Sequence, residues 1–356
     1  MSRKIRVLIV DDSALIRQLL TELLSADHDI EVVGAAHDPF HARDLIKQLH
    51  PDVLTLDVEM PRMNGLQFLE NLMRLHPLPV VMVSSLTTAG SDAALRALEL
   101  GAFEIVAKPQ IGVGQGLRDA ADHLRSVVKA AANSGVKPRL KAAPRLVSSG
   151  ALKVSTDFFF VLGASTGGTE ALRNLLQQLP ADAPGVVLVQ HIPAAFSGPF
   201  AERLDRSCAM QAAEAFEGAR IAPGQIWVAP GGRHLKVVRD GARYRLTLGS
   251  EERINGFAPS VDVLFNSAVE AAGSNLAGGL LTGMGHDGAQ GLLRLKQSGA
   301  YTCIQDEASS VVWGMPGAAF KLGAADAVLP LDQVAERLMD AARRHQGRLS
   351  QASSGR

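Results

Sequence analysis

Cysteine is scarce in this chain: only Cys208 and Cys303 occur among its 356 residues. Two thiols cannot form the framework of a disulfide-rich domain or of a cysteine-based metal site, so both classes are excluded and we expect reduced thiols in the cytoplasm. An excess of charge is also missing, because Lys plus Arg and Asp plus Glu both number 36. That balance argues against a nucleic-acid partner.

Long hydrophobic runs are absent as well. No apolar stretch is long enough to cross a membrane, and the opening "MSRKIRVLIVDD" becomes acidic at once, so we expect neither membrane insertion nor a signal peptide. Hydrophobic residues nevertheless make up 47% of the chain, which is enough to fill real cores. The length of 356 residues favours two domains.

Acidic residues disappear between 123 and 156, a stretch that carries seven Lys or Arg residues. Its second part, "NSGVKPRLKAAPRLVSSG", contains Pro, Gly and Ser without apolar periodicity, which is typical of a flexible tether. We therefore predict a first domain at 1–125, a basic flexible linker at 126–156, a second domain at 157–345 and a disordered tail at 346–356.

Apolar, β-rich runs alternate with amphipathic helical patterns on both sides of the predicted linker. The strand candidates are "IRVLIV", "IEVVGAA", "VLTLD", "PVVMVSS" and "FEIVAK" before it, and "FFFVLG", "GVVLVQ", "QIWVAP", "LAGGLL" and "YTCIQD" after it. This alternation predicts an α/β fold with two doubly wound parallel-sheet domains. The run "LKVVRDGARYRLTLGS" predicts an added β-hairpin around "DG".

Polar residues gather where the predicted strands of the first domain end. Asp11 and Asp12 follow the first strand, Asp57 ends the third, Ser84 ends the fourth, and Lys108 follows the fifth. Ligand sites in such sheets lie beyond the carboxyl ends of the strands. Converging carboxylates repel each other unless a cation joins them, and oxygen ligands suit Mg²⁺. Each Asp alone is equally well explained as a turn or cap residue.

Residues 1–125 resemble a response-regulator receiver domain through "LIVDDS", "LTLDVEMPRMNG", "VVMVSS" and "VAKP". The resemblance implies a flavodoxin-like fold in which Asp57 accepts phosphate from a partner histidine kinase. It also implies a Mg²⁺ ion held by Asp11, Asp12 and Asp57, with Ser84 and Lys108 contacting the phosphoryl group.

A serine between glycines follows the run "FFFVL" of the second domain. Ser165 in "GASTGG" fits the G-x-S-x-G pattern of a nucleophile elbow. His191 follows the strand "GVVLVQ", and Asp287 lies between the strand "LAGGLL" and a helix. One edge of a sheet can bring three such strand ends together. An imidazole can take the serine proton, and a carboxylate can fix the tautomer of the imidazole.

Each of these three residues also has an ordinary structural explanation. Ser165 and Asp287 are suited to cap the helices that follow them, and His191 to be a partly buried, hydrogen-bonded histidine. His234 and His286 are further histidines of the domain, but His286 directly precedes Asp287 and is poorly placed to be oriented by it.

Two competing enzyme classes fit the sequence less well. The α/β-hydrolases place their triad in the order Ser, acid, His, and the only histidine after Asp287 is His345 in a polar C-terminal region. A dinucleotide site is disfavoured because "GASTGG" lacks the G-x-G-x-x-G spacing.

The order Ser, His, Asp resembles that of the chemotaxis protein-glutamate methylesterases of the CheB family over roughly residues 1–340. The motifs are "GASTGGTEAL", "VQHIP", "PGGRHL", "PSVDVLF", "LTGMGHDGA" and "EASSVVWGMP". The resemblance implies a Rossmann-like catalytic domain with Ser165 as nucleophile, His191 as base and Asp287 as orienting acid. It further implies that Thr166 and the Met284 backbone support the oxyanion, and that the esterase chemistry uses no cofactor.

Enzymes of this family hydrolyse methyl esters on glutamates of chemoreceptors and deamidate receptor glutamines. We therefore expect a phosphorylation-activated hydrolase with methyl-accepting chemoreceptors as substrates and a chemotaxis histidine kinase as phosphodonor. A module that only buffers phosphate or scaffolds receptors is disfavoured by the intact Ser, His and Asp. A transcriptional regulator is disfavoured by the neutral charge and by the absence of a recognisable helix-turn-helix.

Two positions depart from the patterns of these families. Receivers often carry an aromatic switch residue three positions before the lysine, where this chain has Ile105. Basic or imidazole side chains are expected before "PSVD" in many methylesterases, where this chain has Phe257 and Ala258. The second difference bears on docking to an acidic receptor helix.

Overall fold

The structure is a computed structural model that describes residues 3–85, 88–108, 114–134, 147 and 157–354. Within these ranges, the backbone alone is described for 88–92, 114–119 and 349–354. The chain forms two compact units, Met1–Lys141 and Ala142–Arg356. In the described part of the chain, no helix is both long enough and apolar enough to span a bilayer.

The first unit alternates strands and helices as predicted. Its elements are β1 (Ile5–Val10), α1 (Ala14–Ser25), β2 (Ile30–Ala36), α2 (Pro39–Leu49), β3 (Val53–Asp57), α3 (Gly65–Leu75), β4 (Val80–Ser84), α4 (Thr88–Leu100), β5 (Glu104–Ala107) and α5 (Gly114–Ser134). The five strands are parallel in the order β2-β1-β3-β4-β5, which confirms the flavodoxin-like prediction. The ends of β1, β3, β4 and β5 therefore lie side by side.

Short polar side chains begin the first three helices of this unit. Ser13, Asp38 and Asn64 each accept a hydrogen bond from a backbone N–H three residues further on. Such N-caps satisfy donors that the helix itself leaves unpaired. The caps fix where the chain turns from a strand end, which carries the site residues, into the next helix.

Helix α5 corrects the predicted linker. It continues through Ser134, so the first nine residues of the segment 126–156 are helical. Its buried residues Leu124, Val127, Val128 and Ala131 follow helical spacing and pack into the core of the first unit. The segment was predicted as a linker because it lacks acidic residues, although its apolar residues have helical spacing. The rest of the predicted linker lies outside the described residues, apart from Val147.

The second unit is also α/β. Its elements are β6 (Phe159–Ala164), α6 (Gly168–Leu176), β7 (Gly185–Gln190), α7 (Ala194–Ser207), β8 (Gln211–Glu214), β9 (Gln225–Val228), β10 (Leu235–Asp240), β11 (Arg243–Leu248), α8 (Val261–Ala272), β12 (Leu276–Leu280), α9 (Ala289–Gln297), β13 (Tyr301–Gln305), α10 (Met315–Lys321), β14 (Ala327–Leu329) and α11 (Leu331–Ser354). Strands β10 and β11 form the predicted antiparallel hairpin.

Seven parallel strands build the main sheet of this unit in the order β14-β13-β12-β6-β7-β9-β8. The chain enters at β6, extends the sheet through β7, and later returns to the other side of β6 with β12. Strand order therefore reverses at β6, and the crevice beyond such a switch point is where open α/β sheets place ligands. The C-terminal ends of β7, β6 and β12 meet there.

The end of the chain differs from the predicted disordered tail at 346–356. Helix α11 continues through Ser354, and its earlier turns bury Val334, Leu338 and Ala342. The segment "GRLSQASS" contains no proline, and its Arg, Leu, Gln and Ala residues favour helix, so it can prolong α11. Residues 355–356 lie outside the described part.

Candidate functional site

Ser165 stands directly after β6 and two residues before the N-cap of α6. That N-cap is Gly167, and it makes no side-chain capping hydrogen bond. The explanation of Ser165 as a helix cap is therefore wrong. The Ser165 backbone is held on both sides, because its N–H donates to Thr282 O at 3.0 Å and its carbonyl accepts from Gln190 Nε2 at 2.9 Å. The serine, buried with 4% exposure, has a fixed position at the switch point.

His191 follows β7 and pairs with Asp287, which follows β12. The distance from His191 Nε2 to Asp287 Oδ2 is 2.9 Å. The two side chains are 5% and 0% exposed. Because a carboxylate only accepts, the proton of the neutral imidazole is on Nε2 and the lone pair on Nδ1. The structure thus joins the predicted His and Asp in the hydrogen bond that fixes a tautomer.

The Asp287 carboxylate accepts four further hydrogen bonds. Oδ1 accepts from Asn255 Nδ2 at 2.9 Å, from Ser260 Oγ at 2.8 Å and from Asp262 N at 3.4 Å. Oδ2 also accepts from Val261 N at 2.7 Å. Helix α9 has Gly288 as N-cap without a side-chain cap bond, so Asp287 is not its cap. The donors belong mainly to the loop before α8 and the start of that helix.

These donors decide the charge of Asp287. Burial alone would raise the pKa of the carboxyl group, but the hydrogen bond from His191 and the donors from Asn255 and Ser260 outweigh it and lower the pKa to about 2. The carboxylate is therefore ionised at neutral pH, in a place where the ring of His191 can be stabilised as a cation.

The second ring nitrogen of His191 keeps its lone pair. Nδ1 is buried and has no hydrogen-bond partner in the described part of the chain. Among the described residues, no hydrogen bond joins the Ser165 hydroxyl to this ring. Catalytic hydrogen bonds are often long in a ligand-free site and shorten when substrate binds. An unpaired buried acceptor at a ligand crevice is what a general base requires.

Thr166 is hydrogen-bonded to the loop after β12. The Thr282 hydroxyl donates to Thr166 O at 3.0 Å and accepts from Val312 N at 2.9 Å, which ties this loop to the residues after Ser165. Met284 follows two residues later and is half-buried. Within the described ranges, the amides of Thr166 and Met284 have no hydrogen-bond acceptor. Amides without an acceptor are the kind of donor that an oxyanion site requires.

The predicted carboxylates of the first unit converge at the ends of β1 and β3. Lys108 Nζ lies 2.9 Å from Asp11 Oδ2 and 2.8 Å from Asp57 Oδ2, and both carboxylates are almost fully buried. The backbone N–H of Lys108 donates to Ser84 O at 2.8 Å, which places the end of β4 beside the lysine. Asp12 is exposed at the mouth of a cleft of about 490 Å³.

The single positive charge of Lys108 does not balance the negative charges of Asp11, Asp12 and Asp57. Burial raises the pKa of Asp57 to about 6, and the charge of Asp11 adds to this, although Lys108 lowers it. The same two carboxylates raise the pKa of Lys108 against the effect of its burial. Oxygen atoms of Asp11, Asp12 and Asp57 all lie within 4.8 Å of one another. An all-oxygen donor set with excess negative charge fits a hard divalent cation such as Mg²⁺.

Comparison with known proteins decides the family. Residues 160–338 match the family model described as CheB methylesterase, and residues 7–113 match the response regulator receiver domain. A protein of Xanthomonas euvesicatoria pv. vesicatoria named protein-glutamate methylesterase/protein-glutamine glutaminase 1 is 56% identical over 94% of this chain and 96% of its own length. The chain belongs to the CheB methylesterase family.

Further members agree with this assignment. A Pseudomonas aeruginosa protein named protein-glutamate methylesterase/protein-glutamine glutaminase 2 is 53% identical, over 96% of this chain and 99% of its own length. The crystal structure of the Thermotoga maritima CheB methylesterase catalytic domain is 34% identical with a TM-score of 0.50, and covers 51% of this chain and 97% of that one. The α/β fold of the second unit is thus that of a CheB catalytic domain.

The sequence did not predict the contribution of several side chains around the site of this CheB family member. Gln190, Asn255, Ser260 and Thr282 each bond a site residue or its neighbour. Gln190 lies within the motif "VQHIP", and "NG" at 255–256 is a typical turn signal, so both positions carry a signal in the sequence.

His234 does not contact the His191–Asp287 pair directly within the described residues. It is buried, accepts from Ser260 N at Nδ1 and has the Glu252 carbonyl as the partner of Nε2, so it supports the loop behind Asp287. His286 is exposed.

Proposed function

We propose that this chain is a phosphorylation-regulated, cytoplasmic protein-glutamate methylesterase that removes methyl groups from chemoreceptor glutamates. The relatives named protein-glutamate methylesterase/protein-glutamine glutaminase support this substrate class, and we extend the proposal to glutamine deamidation. The observation that carries the proposal is the His191–Asp287 hydrogen bond of 2.9 Å beside the fixed backbone of Ser165. A scaffolding module would not require a buried imidazole with one nitrogen paired and the other unpaired.

The first half of the proposed reaction transfers the acyl group to the enzyme. Ser165 Oγ attacks the ester carbonyl carbon while His191 Nδ1 takes the hydroxyl proton. The carbonyl oxygen becomes an anion that accepts hydrogen bonds from the amides of Thr166 and Met284. Collapse breaks the bond to the methoxy group, which leaves as methanol with the proton from His191. With a glutamine substrate, ammonia leaves instead.

The second half restores the enzyme. Water attacks the acyl-Ser165 carbonyl and gives a proton to His191 Nδ1, and collapse returns that proton to Ser165 and releases the glutamate carboxylate. Throughout the cycle Asp287 remains ionised and holds the proton on His191 Nε2, which its low pKa supports. Loss of one oxyanion donor typically lowers kcat by about 10²–10³-fold, so each of the two amides would contribute substantially to the rate.

For the receiver we propose Asp57 as phosphoacceptor, with phosphate from a chemotaxis histidine kinase. Asp11, Asp12 and Asp57 would hold Mg²⁺, which when bound neutralises charge on the transferring phosphoryl group. Lys108 and Ser84 would contact the phosphoryl oxygens. The proximity of Lys108 Nζ to Asp57 Oδ2, 2.8 Å, supports this assignment.

Methanol release from a methylated receptor tests the proposal. Ser165→Ala should lower turnover about 10³-fold or more, because the oxygen that forms the acyl bond is gone. Ser207→Ala is the matched control: this half-buried serine lies at the end of α7, and its hydroxyl makes only long contacts, 3.4 Å to Leu204 O and 3.9 Å to Cys208 Sγ. Full activity of the Ser165 variant, or no methanol release by the wild type, would contradict the proposal.

A further inference from the structure

The turn 254–257 contacts both partners of the His–Asp pair. Its end residues exchange two backbone hydrogen bonds of 3.0 Å, and its central residues Asn255 and Gly256 have φ of 55° and 86°. These are the features of a two-residue type I′ turn. Asn255 Nδ2 donates to Asp287 at 2.9 Å and to Asp262 at 2.8 Å, which anchors the turn to the carboxylate side.

Phe257, the last residue of the turn, lies flat on His191. The ring centroids are 3.7 Å apart and the planes differ by 5°. Two neutral aromatic rings prefer an offset or edge-to-face arrangement with centroids about 4.5–7 Å apart. Elsewhere in this unit Phe158–Phe160 and Phe216–Trp227 show that preference, at 6.0 and 5.5 Å and near 90°. A close face-to-face stack instead suits a cation above a ring.

We propose that Phe257 is a positioning residue that holds the His191 ring and selectively stabilises its protonated form. The inference rests on the proposed function, because it assigns Phe257 its effect through the base of that reaction. The attraction between ring face and cation appears only when His191 has taken the Ser165 proton. It therefore lowers the barrier without tightening substrate binding. Among the described residues, the ionisable groups hydrogen-bonded to the ring or to its partner turn are Asp287, in direct contact, and Asp262, linked through Asn255.

Steady-state kinetics of the full chain separate this role from simple packing. Phe257→Leu keeps an apolar side chain but removes the ring face, and should lower kcat about two- to fivefold, about 0.4–1 kcal/mol, with KM unchanged. The acid limb of the kcat/KM profile should move to lower pH by about 0.3–0.7 unit. Phe257→Tyr, which keeps the ring, should stay within about twofold of wild type.

A control variant tests whether losing a phenyl ring elsewhere in the second unit has the same effect on the kinetics. Phe216→Leu makes the same change at a ring that packs on Trp227, and it should leave kcat and the pH profile unaltered. A change in KM alone for Phe257→Leu would overturn the inference, because it would mean that Phe257 contacts substrate instead.

The turn itself can be perturbed with a matched pair. Gly256 and Gly241 both have positive φ, 86° and 60°, and an added Cβ would meet no atom within 4 Å at either position. Alanine should therefore strain both turns similarly. Gly256→Ala should lower kcat because it displaces Phe257, whereas Gly241→Ala, in the β10–β11 hairpin, should not. Equal kcat values for the two variants would overturn the role of the turn.

A spectroscopic measurement makes the inference independent of turnover. In labelled protein, the His191 ring resonance, assigned with His191→Gln, should titrate at lower pH in Phe257→Leu than in wild type. An unmoved titration together with wild-type kcat overturns the stacking inference alone. Full activity in Ser165→Ala overturns the proposed chemistry, and the titration then still decides whether Phe257 stabilises the charged ring.

Discussion

Replacing Asp287 by Asn removes one charge from a buried side chain that accepts five hydrogen bonds. The donors are His191, Asn255, Ser260, Val261 and Asp262. Asparagine has nearly the same shape but offers one accepting oxygen and one NH₂ group. If the NH₂ group replaces Oδ2, it faces the N–H of Val261. If it replaces Oδ1, it faces the NH₂ of Asn255 and the N–H of Asp262. At least one buried donor therefore loses its acceptor.

The magnitude for stability follows from the pKa. The pKa of Asp287 is lowered from 3.8 to about 2, and each unit corresponds to about 1.36 kcal/mol, so the ionised group stabilises the fold by about 2–3 kcal/mol. Since the folded-state pKa is the lower one, this stabilisation is present above about pH 4 and is lost as the pH falls toward 2. Asp287→Asn should lower the free energy of unfolding at pH 7 by about 2–4 kcal/mol, including the unpaired donor.

Activity should fall further than stability explains. An Asn amide can donate to His191 Nε2, which moves the ring proton to Nδ1 and removes the base. In the comparable triad of another enzyme such a change costs about 10⁴-fold in kcat, and we expect about 10³–10⁴-fold here. The variant should still be folded under assay conditions, because a loss of a few kcal/mol leaves most domains of this size native.

Tryptophan fluorescence in a urea titration measures the stability selectively. Both tryptophans, Trp227 and Trp313, and both tyrosines lie in the second unit, so the signal excludes the receiver. Asp262→Asn is the matched control, because burial and the charge of Asp287 raise the pKa of Asp262, and neutralising it should cost much less at pH 7. Equal midpoints for the wild type and Asp287→Asn, or equal losses for both Asn variants, would refute the electrostatic reasoning.

Two further predictions concern the receiver. A small acyl phosphate with Mg²⁺ should label Asp57 and stimulate methanol release, and a chelator should abolish the labelling. The Asp57→Asn variant should show neither effect. If mass spectrometry detected wild-type labelling of that variant, Asp57 would not be the phosphoacceptor. Because the pKa of Asp57 is raised to about 6, its ionised form costs stability as the pH rises from about 4 through 6. Asp57→Asn should therefore stabilise the metal-free first unit by about 2–3 kcal/mol at pH 7.5 and by little at pH 4. Amide hydrogen exchange in β1 and β3 measures this difference. Equal protection of these amides in the wild type and the variant at pH 7.5 would disprove the prediction.

Residues that end strands were predictable, and residues that support them from elsewhere were not. Ser165, His191 and Asp287 follow β6, β7 and β12, whose period and apolar character are visible in the sequence. The turn that bears Asn255 and Phe257 lies 32 residues from Asp287 along the chain, and its contacts depend on how α8 packs beside β12. Local patterns do not encode such a pairing. The second half of helix α5 was not predicted for a different reason: its basic composition is typical of a linker, although its apolar residues follow helical spacing.

Two buried aspartates near strand ends, Asp57 and Asp287, have pKa values shifted in opposite directions although both belong to α/β sheets. Asp57 ends a strand and Asp287 lies in the loop after one, each beside a switch point, and burial alone would raise the pKa of both carboxyl groups. Asp57 has one lysine and a second carboxylate as neighbours, so its charge remains costly, and the proposed cation or phosphorylation would relieve it. Asp287 has five donors, so its charge is stable and can support a neighbouring imidazolium. The number of fixed donors, which the sequence leaves open, therefore separates a group suited to be modified from one suited to remain ionised.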